Sequence, residues 1–272
     1  ERAGCTWLTD DGGLCESCAL TRVRPADSDL DGLALFPVAE EAKRHLVRDL
    51  TRRGFPIVGK DVDEQNGLAF DLLSSVAEDV TIGHADGVIT IDLAEGDDSY
   101  REKMRRQLAE PYRTMLGHFR HESGHYIEWQ HVEGTPLIER ARELFGDERV
   151  DYQEAIDRHY AEGPPSGWQQ DYLSAYATMH PYEDFAETWA HVLHVHDTVE
   201  TAVAFELIPP VAEDVDFRTL LFEVWMPLST ALNVVNRSLG QRDLYPFTLP
   251  DRVVEKMSFV ASLRPGSSSP GP

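Results

Sequence analysis

A chain of 272 residues and 30.6 kDa, 42% hydrophobic and 27% charged, can bury a sizeable core, as one large domain or as a domain of roughly 200 residues with an appendage. This composition excludes a disordered chain, and the absence of any apolar run near the roughly 18 residues of a transmembrane helix excludes a membrane-embedded one. With 25 basic against 48 acidic residues and a net charge of −23, the surface repels phosphate backbones and anionic lipid heads, so neither nucleic acid nor a membrane is expected as a partner.

The sequence begins at Glu1 without an initiator Met or the basic and apolar regions of a signal peptide, which reads as a trimmed or processed start. Cys5, Cys15 and Cys18 all fall within the first eighteen residues. An odd, clustered set containing C-x-x-C fits metal ligation better than a disulfide framework and favours a reducing, cytoplasmic location. With the turn-forming stretch Asp10-Asp11-Gly12-Gly13 between the cysteines, residues 1–24 read as a partial zinc-ribbon-like segment. Three thiolates need a fourth ligand to close a tetrahedral structural site: an upstream cysteine, a histidine from elsewhere or a water.

Beyond this segment, Ala42, Leu46, Val47 and Leu50 recur at helical spacing, and the spacing predicts an amphipathic helix over Glu40 to Arg53 that stops at Gly54-Phe55-Pro56. Alternating β-branched residues on either side of His84-Ala85-Asp86-Gly87 predict a hairpin between Val80 and Leu93. From Ser99 the chain is mostly helical, with one segment before Pro111 and a longer one running to His131. Further helices are expected over 136–145, 147–161, 168–177, 182–196, 214–238 and 250–262, and residues 263–272, rich in Pro, Gly and Ser, read as a disordered tail. The domain organisation expected is 1–24, 25–262 and 263–272.

The chemistry is concentrated in His121-Glu122-Ser123-Gly124-His125, an H-E-x-x-H motif. Residues i and i+4 of a helix share a face, so His121 and His125 offer two imidazole nitrogens to one zinc while Glu122 reaches a water on the metal. Zinc lowers the pKa of that water towards about 7, and Glu122 is placed to accept its proton. A catalytic zinc requires a third protein ligand, for which two residues compete. His131 has the metzincin spacing from His121, and Thr178 to Tyr182 resembles a Met-turn, but position 128 is Glu where that pattern needs Gly. A helix continuing through Glu128 puts His131 about 80° off the ligand face. Glu183 is the alternative: a glutamate from a second helix is the gluzincin solution. Glu187 shares its face and is expected to hydrogen-bond a ligand histidine, with Asp184 as an alternative in that role. The packing or site roles of His180, His191 and His194 stay open.

The stretches Ala85-Asp86-Gly87, Glu110 to Glu122, Gly146-Asp147-Glu148-Arg149, Tyr160 to Pro165 and Pro181 to Trp189 resemble the bacterial zinc-binding metallopeptidase family whose members carry an N-terminal zinc-ribbon-like domain, from Cys5 to about residue 262. The family's ribbon bears more cysteines than this chain. Tyr176 to Glu187 also resembles the third-ligand region of anthrax lethal factor, a gluzincin, in which a catalytic tyrosine precedes the ligand glutamate by seven residues. That resemblance implies Tyr176 as a hydrogen-bond donor to the developing oxyanion.

The expected fold is α+β, a helix-dominated zincin-like metallopeptidase domain with a small β-sheet, the Val88 to Leu93 strand at its edge, and an N-terminal zinc-ribbon remnant. The expected activity is hydrolysis of a peptide or protein substrate, with catalytic Zn2+ on His121, His125 and Glu183, Glu122 as base, and a second, structural Zn2+ at Cys5, Cys15 and Cys18. Two alternatives stand beside it: a zinc-stabilised binding scaffold without catalysis, and a zinc hydrolase of a non-peptide amide. Oligomeric state is not legible in the sequence.

Overall fold

The computed structural model describes residues 3–9, 12–75, 80, 82–97, 114–212 and 214–263; the helix expected between Ser99 and Pro111 and the tail from residue 264 lie outside them. The described chain forms two compact units, one up to Thr135 and the other Pro136–Leu263. Residues 1–24 belong to the first.

In the first unit, Cys15 caps a single helical turn, α1 (Glu16–Ala19), which leads into a short strand, β1 (Thr21–Val23). Helix α2 (Leu30–Arg52) follows, capped by Asp29, whose carboxylate accepts the Gly32 N–H at 2.8 Å. It starts ten residues before Glu40, where the sequence places its beginning. Pro37 lies inside the helix and removes one hydrogen bond to the Leu33 carbonyl. Burial of Phe36 and Ala39 in line with Leu46, Val47 and Leu50 keeps the helix going through it.

Strands β2 (Ala69–Leu73), β3 (Gly83–Ala85) and β4 (Val88–Asp92) complete a mixed sheet of order β1-β2-β4-β3. β1, β2 and β4 run parallel, with Phe70 opposite Ile89, and β3 pairs antiparallel with β4. The expected hairpin is present, turning at Asp86 (φ 47°) and Gly87 (φ 80°), two successive positive φ values of the kind that suit tight hairpins. Its first strand among the described residues is Gly83–Ala85; the expected Val80 to Ile82 lies partly outside them. The strand from Val88 has β2 on its other side, so the edge on this side of the sheet is β3, a correction to the sequence expectation. Gly87 is needed for a second reason: a Cβ there would stand 2.2 Å from the Gly67 carbonyl oxygen. Helix α3 (Met115–His131), capped by the Thr114 hydroxyl, packs on α2, β3 and β4. The core between these layers holds Leu46, Leu50, Phe70, Ile89, Ile91 and Phe119, with the Phe70 and Phe119 rings 5.6 Å apart.

The second unit is helical: α4 (Leu137–Phe145), α5 (Tyr152–Glu162), α6 (Pro181–Ala204), α7 (Phe217–Thr219), α8 (Met226–Ser238) and α9 (Asp251–Ser262). A π-helical stretch, Leu220–Trp225, joins α7 to α8 just before Pro227, which has no N–H to donate. Residues 168–177, expected as a helix, form instead the 3-10 turns Trp168–Gln170 and Tyr176–Thr178, because Gly167 enters the first in the left-handed region and the segment buries little but Leu173, Ser174 and Ala177. Helix α6 packs on α9, on α4 and on the second of these turns; its Phe185, Trp189, Val192 and Leu193 are buried, as are Phe145, Val253, Met257 and Val260 of the two helices, and the Phe145 and Phe185 rings lie 5.4 Å apart. The architecture is α+β and helix-dominated with a small sheet, as expected. Among the described residues no helix is long and apolar enough to cross a membrane.

Candidate metal centre

Helix α3 carries the H-E-x-x-H motif in its middle, so its backbone is held by hydrogen bonds on both sides. Its rotation about its own axis is set by Arg120, whose guanidinium reaches Asp49 of α2 at 2.6 Å with both groups buried. One residue on, the His121 and His125 rings stand edge to face with centroids 5.0 Å apart. Each offers one ligand atom, and these lie within 4.8 Å of one another. Glu122, between them, is buried. The helix runs unbroken through Glu128 to His131, and the His131 ring packs on Phe55 with centroids 5.3 Å apart. The metzincin arrangement, which needs the helix to stop there, is not the local geometry of this segment.

Facing α3 from the edge strand is His84, a residue the sequence places only in a turn. Its ring lies 5.8 Å from Tyr126 and 5.5 Å from Trp129, and its Nε2 accepts the Gly87 N–H at 3.0 Å. Burial, helped by the charge of His125, pushes His84 down to about 4 from an ordinary 6.5. Between those values the unfolded chain binds a proton that the folded chain refuses, so stability falls as pH falls from 6.5 towards 4. In metal-free protein the full loss from this group is about 3 kcal/mol. Urea unfolding of wild type and His84→Gln across that range should show a visibly flatter pH slope in the variant; parallel slopes would contradict the assignment.

The three cysteines also converge. Cys5 Sγ lies 3.6 Å from Cys15 Sγ, and one sulfur from each of Cys5, Cys15 and Cys18 falls within 4.8 Å of the others. Sulfurs sharing a tetrahedral zinc are about 3.8 Å apart, from a Zn–S bond of about 2.3 Å. The Cys15 sulfur accepts the Cys18 N–H at 3.4 Å, which holds the C-x-x-C turn in shape. Cys18 Sγ is 3.7 Å from Glu40 Oε2, and Glu40 in turn is held by Lys43 Nζ at 2.7 Å and by the Thr21 hydroxyl. Burial pushes the Cys18 thiol up to about 12, with Cys15, Cys5 and the Glu40 charge adding to it. For Cys5, burial acts upward, but hydrogen bonds from the Trp7 backbone, Cys15 and Cys18, with the Arg44 charge, outweigh it and lower the thiol. The donor set and the sulfur spacing fit a metal ion.

In the second unit, α6 begins with His180 as its cap: Nδ1 accepts the Tyr182 N–H at 3.1 Å, and Nε2 lies 3.1 Å from the Val150 carbonyl oxygen. Because Nδ1 is an acceptor, Nε2 carries the proton and donates it. Both ring nitrogens are committed to structure, which answers the question the sequence left open for this residue. Glu183 follows in the first turn, 2% exposed, and its Oε1 accepts the Tyr152 hydroxyl at 2.7 Å. One turn later, Glu187 Oε2 accepts the Ser174 hydroxyl at 2.7 Å. Asp184 points elsewhere: its Oδ2 meets Lys256 Nζ of α9 at 2.6 Å, and burial drives its carboxyl upward against the pull of that ammonium. Tyr176 sits half-buried at the start of the 3-10 turn packed on α6. His191 Nδ1 is 2.7 Å from the Tyr245 hydroxyl, with the Phe247 ring 4.5 Å away, and His191 and His194 are both buried.

Sequence reasoning missed Tyr152, Ser174, Lys256 and His84. The first three act through carboxylates that sequence spacing did find, and only the Asp151 cap signal at the start of α5 hints at Tyr152.

A family model described as a putative zinc-binding metallo-peptidase matches residues 33–263. Among curated proteins, the chain is 52% identical over 269 residues to an uncharacterized protein of Mycobacterium bovis and to uncharacterized proteins of two Mycobacterium tuberculosis strains, covering 95% of this chain and 79% of each relative. No solved structure matches.

Proposed function

The chain belongs to the putative zinc-binding metallo-peptidase family, and from that membership we propose that it hydrolyses peptide bonds with a zinc held by His121, His125 and Glu183. The observation that carries this reading is the motif turn of α3, where two imidazoles offer ligand atoms side by side with Glu122 between them, inside the region the family model matches. Glu183 enters this reading as the gluzincin-type third ligand, a glutamate supplied from a second helix.

Bound zinc supplies Lewis acidity, polarising the scissile carbonyl and lowering the pKa of a water towards about 7. Glu122 takes the proton of the attacking water and returns it to the leaving amine. Tyr176, by its resemblance to a gluzincin tyrosine, donates a hydrogen bond to the oxyanion, a role worth about 3 kcal/mol for a preorganised donor. Glu187, its other oxygen held by Ser174, orients a ligand imidazole. Cys5, Cys15 and Cys18 hold a second, structural zinc, with the cytoplasm as the compartment that keeps them reduced.

Elemental analysis tests the assignment before any substrate is known. Two zinc ions per chain are expected in wild type, one in Glu183→Ala and in His121→Ala, and two in His131→Ala. A full complement in Glu183→Ala would remove that residue from the ligand set, and loss in His131→Ala would restore the metzincin alternative.

A further inference from the structure

Glu183 is a buried carboxylate, and such a group is stable in one orientation only where hydrogen bonds fix it. One group that does so is Tyr152, the first residue of α5, whose hydroxyl donates to Oε1 at 2.7 Å. Tyr152 is 41% exposed, so its ring is not there chiefly to fill a core. The segment that presents it is tied down at several points. Arg142 of α4 holds Glu148 through two hydrogen bonds, at 2.6 and 2.9 Å. Asp151 caps α5 by accepting the Glu154 N–H at 2.8 Å. His180, the cap of α6, donates to the Val150 carbonyl, and its ring lies edge-on to the Tyr152 ring with centroids 5.1 Å apart. The start of α5 and the start of α6 are therefore locked to one another around Glu183.

We propose that Tyr152 is a positioning residue for the metal: its phenol commits Oε1 of Glu183, so that the glutamate binds through Oε2 alone and in one rotamer. This rests on the reading of Glu183 as a zinc ligand. Phenol and carboxylate are matched for the task, since a phenol has one O–H to donate and an ionised carboxylate is purely an acceptor. Hydrogen bonds of this kind to a metal ligand typically contribute 10–100-fold to metal affinity. Removing the hydroxyl while keeping the ring leaves the contact with His180 in place and removes this restraint on Oε1.

The test is Tyr152→Phe in the full chain, read by zinc affinity in chelator competition and by the visible spectrum of cobalt(II) loaded into the site. Cobalt on nitrogen and oxygen ligands lacks the near-ultraviolet thiolate band of cobalt at the cysteines, so the two sites are read separately. Tyr152→Phe is expected to weaken zinc at the nitrogen–oxygen site by 10–100-fold and to shift its cobalt bands, with the thiolate band unchanged and the metal-free protein still folded, though less stable for the loss of one donor to a buried carboxylate. Tyr160→Phe, at an exposed tyrosine of the same helix, should change none of these. Unaltered affinity and bands in Tyr152→Phe, with zinc lost in Glu183→Ala, would overturn the role of Tyr152 and leave the ligand assignment standing. Zinc retained at that site in Glu183→Ala would overturn both.

Discussion

Glu122→Gln is expected to reduce kcat on a fluorogenic peptide library by roughly 10²–10⁴-fold, the range a general base contributes, while zinc content stays at the wild-type value. The amide has nearly the shape of the carboxylate and cannot accept a proton, so the buried position stays filled and α3 stays folded. The reading of the chain as a binding scaffold makes the opposite forecast. A site that only holds metal has no use for that carboxylate, and the substitution would then change nothing but local polarity. Peptide cleavage at the wild-type rate in the zinc-loaded variant would remove Glu122 from the chemistry. A variant without zinc would not speak to the base at all, and for that reason metal content is measured on the same preparation.

Asp184→Ala carries the second large effect, on stability. Asp184 and Lys256 are almost wholly enclosed, 1% and 3% exposed at the side chain, and meet at 2.6 Å. The ammonium also donates to the Asp171 carbonyl at 2.6 Å and lies 4.3 Å from the centre of the Tyr172 ring. Removing the carboxylate leaves a cation in a low-dielectric place with a carbonyl and a ring for company, and breaking such a pair costs about 3–5 kcal/mol. Replacing both partners, Asp184→Ala with Lys256→Met, should recover most of that loss, because the desolvation penalty disappears with the charge. Urea denaturation of the single and double variants measures both. A single variant within about 1 kcal/mol of wild type would mean that water reaches the ammonium once the carboxylate is gone.

Much of this was legible in the sequence, and the parts that were not share causes. The motif helix, the hairpin turn at Asp86-Gly87 and the helices around Leu137–Phe145, α5, α6 and α9 follow from periodicity and turn chemistry, which are local. Strand β2 escaped because Ala69, Phe70, Asp71 and Leu72 are all buried, so the run has no alternation, as is usual where parallel strands are covered on both faces. The first third of α2 escaped because Pro37 is a strong local stop signal that tertiary burial overrode. In the candidate site the pattern repeats. His121, Glu122, His125 and Glu183 are marked by spacing along single helices, whereas Tyr152 lies 31 residues before the carboxylate it holds. Nothing periodic connects the two. The same holds for Lys256, a buried lysine in a helix whose sequence gives it the look of an exposed one.

The contacts of Cys18, Thr21 and the turn Glu16–Ala19 with α2 decide where this protein can be cut. The region matched by the family model starts at residue 33, and excising the chain from there is the obvious way to make a smaller protein. That cut would strip β1 from β2 and open the flank of a parallel sheet. It would also remove Thr21 and Cys18 from around Lys43 and Glu40, an ion pair only 0% and 1% exposed at the side chain. Two charges would then face water from the middle of a helix whose neighbouring residues, Ala39, Ala42, Leu46 and Val47, are core. The sulfur-bearing segment is thus a lid on the charged middle of α2, and a trimmed version lacking it would expose an ion pair set in an apolar patch.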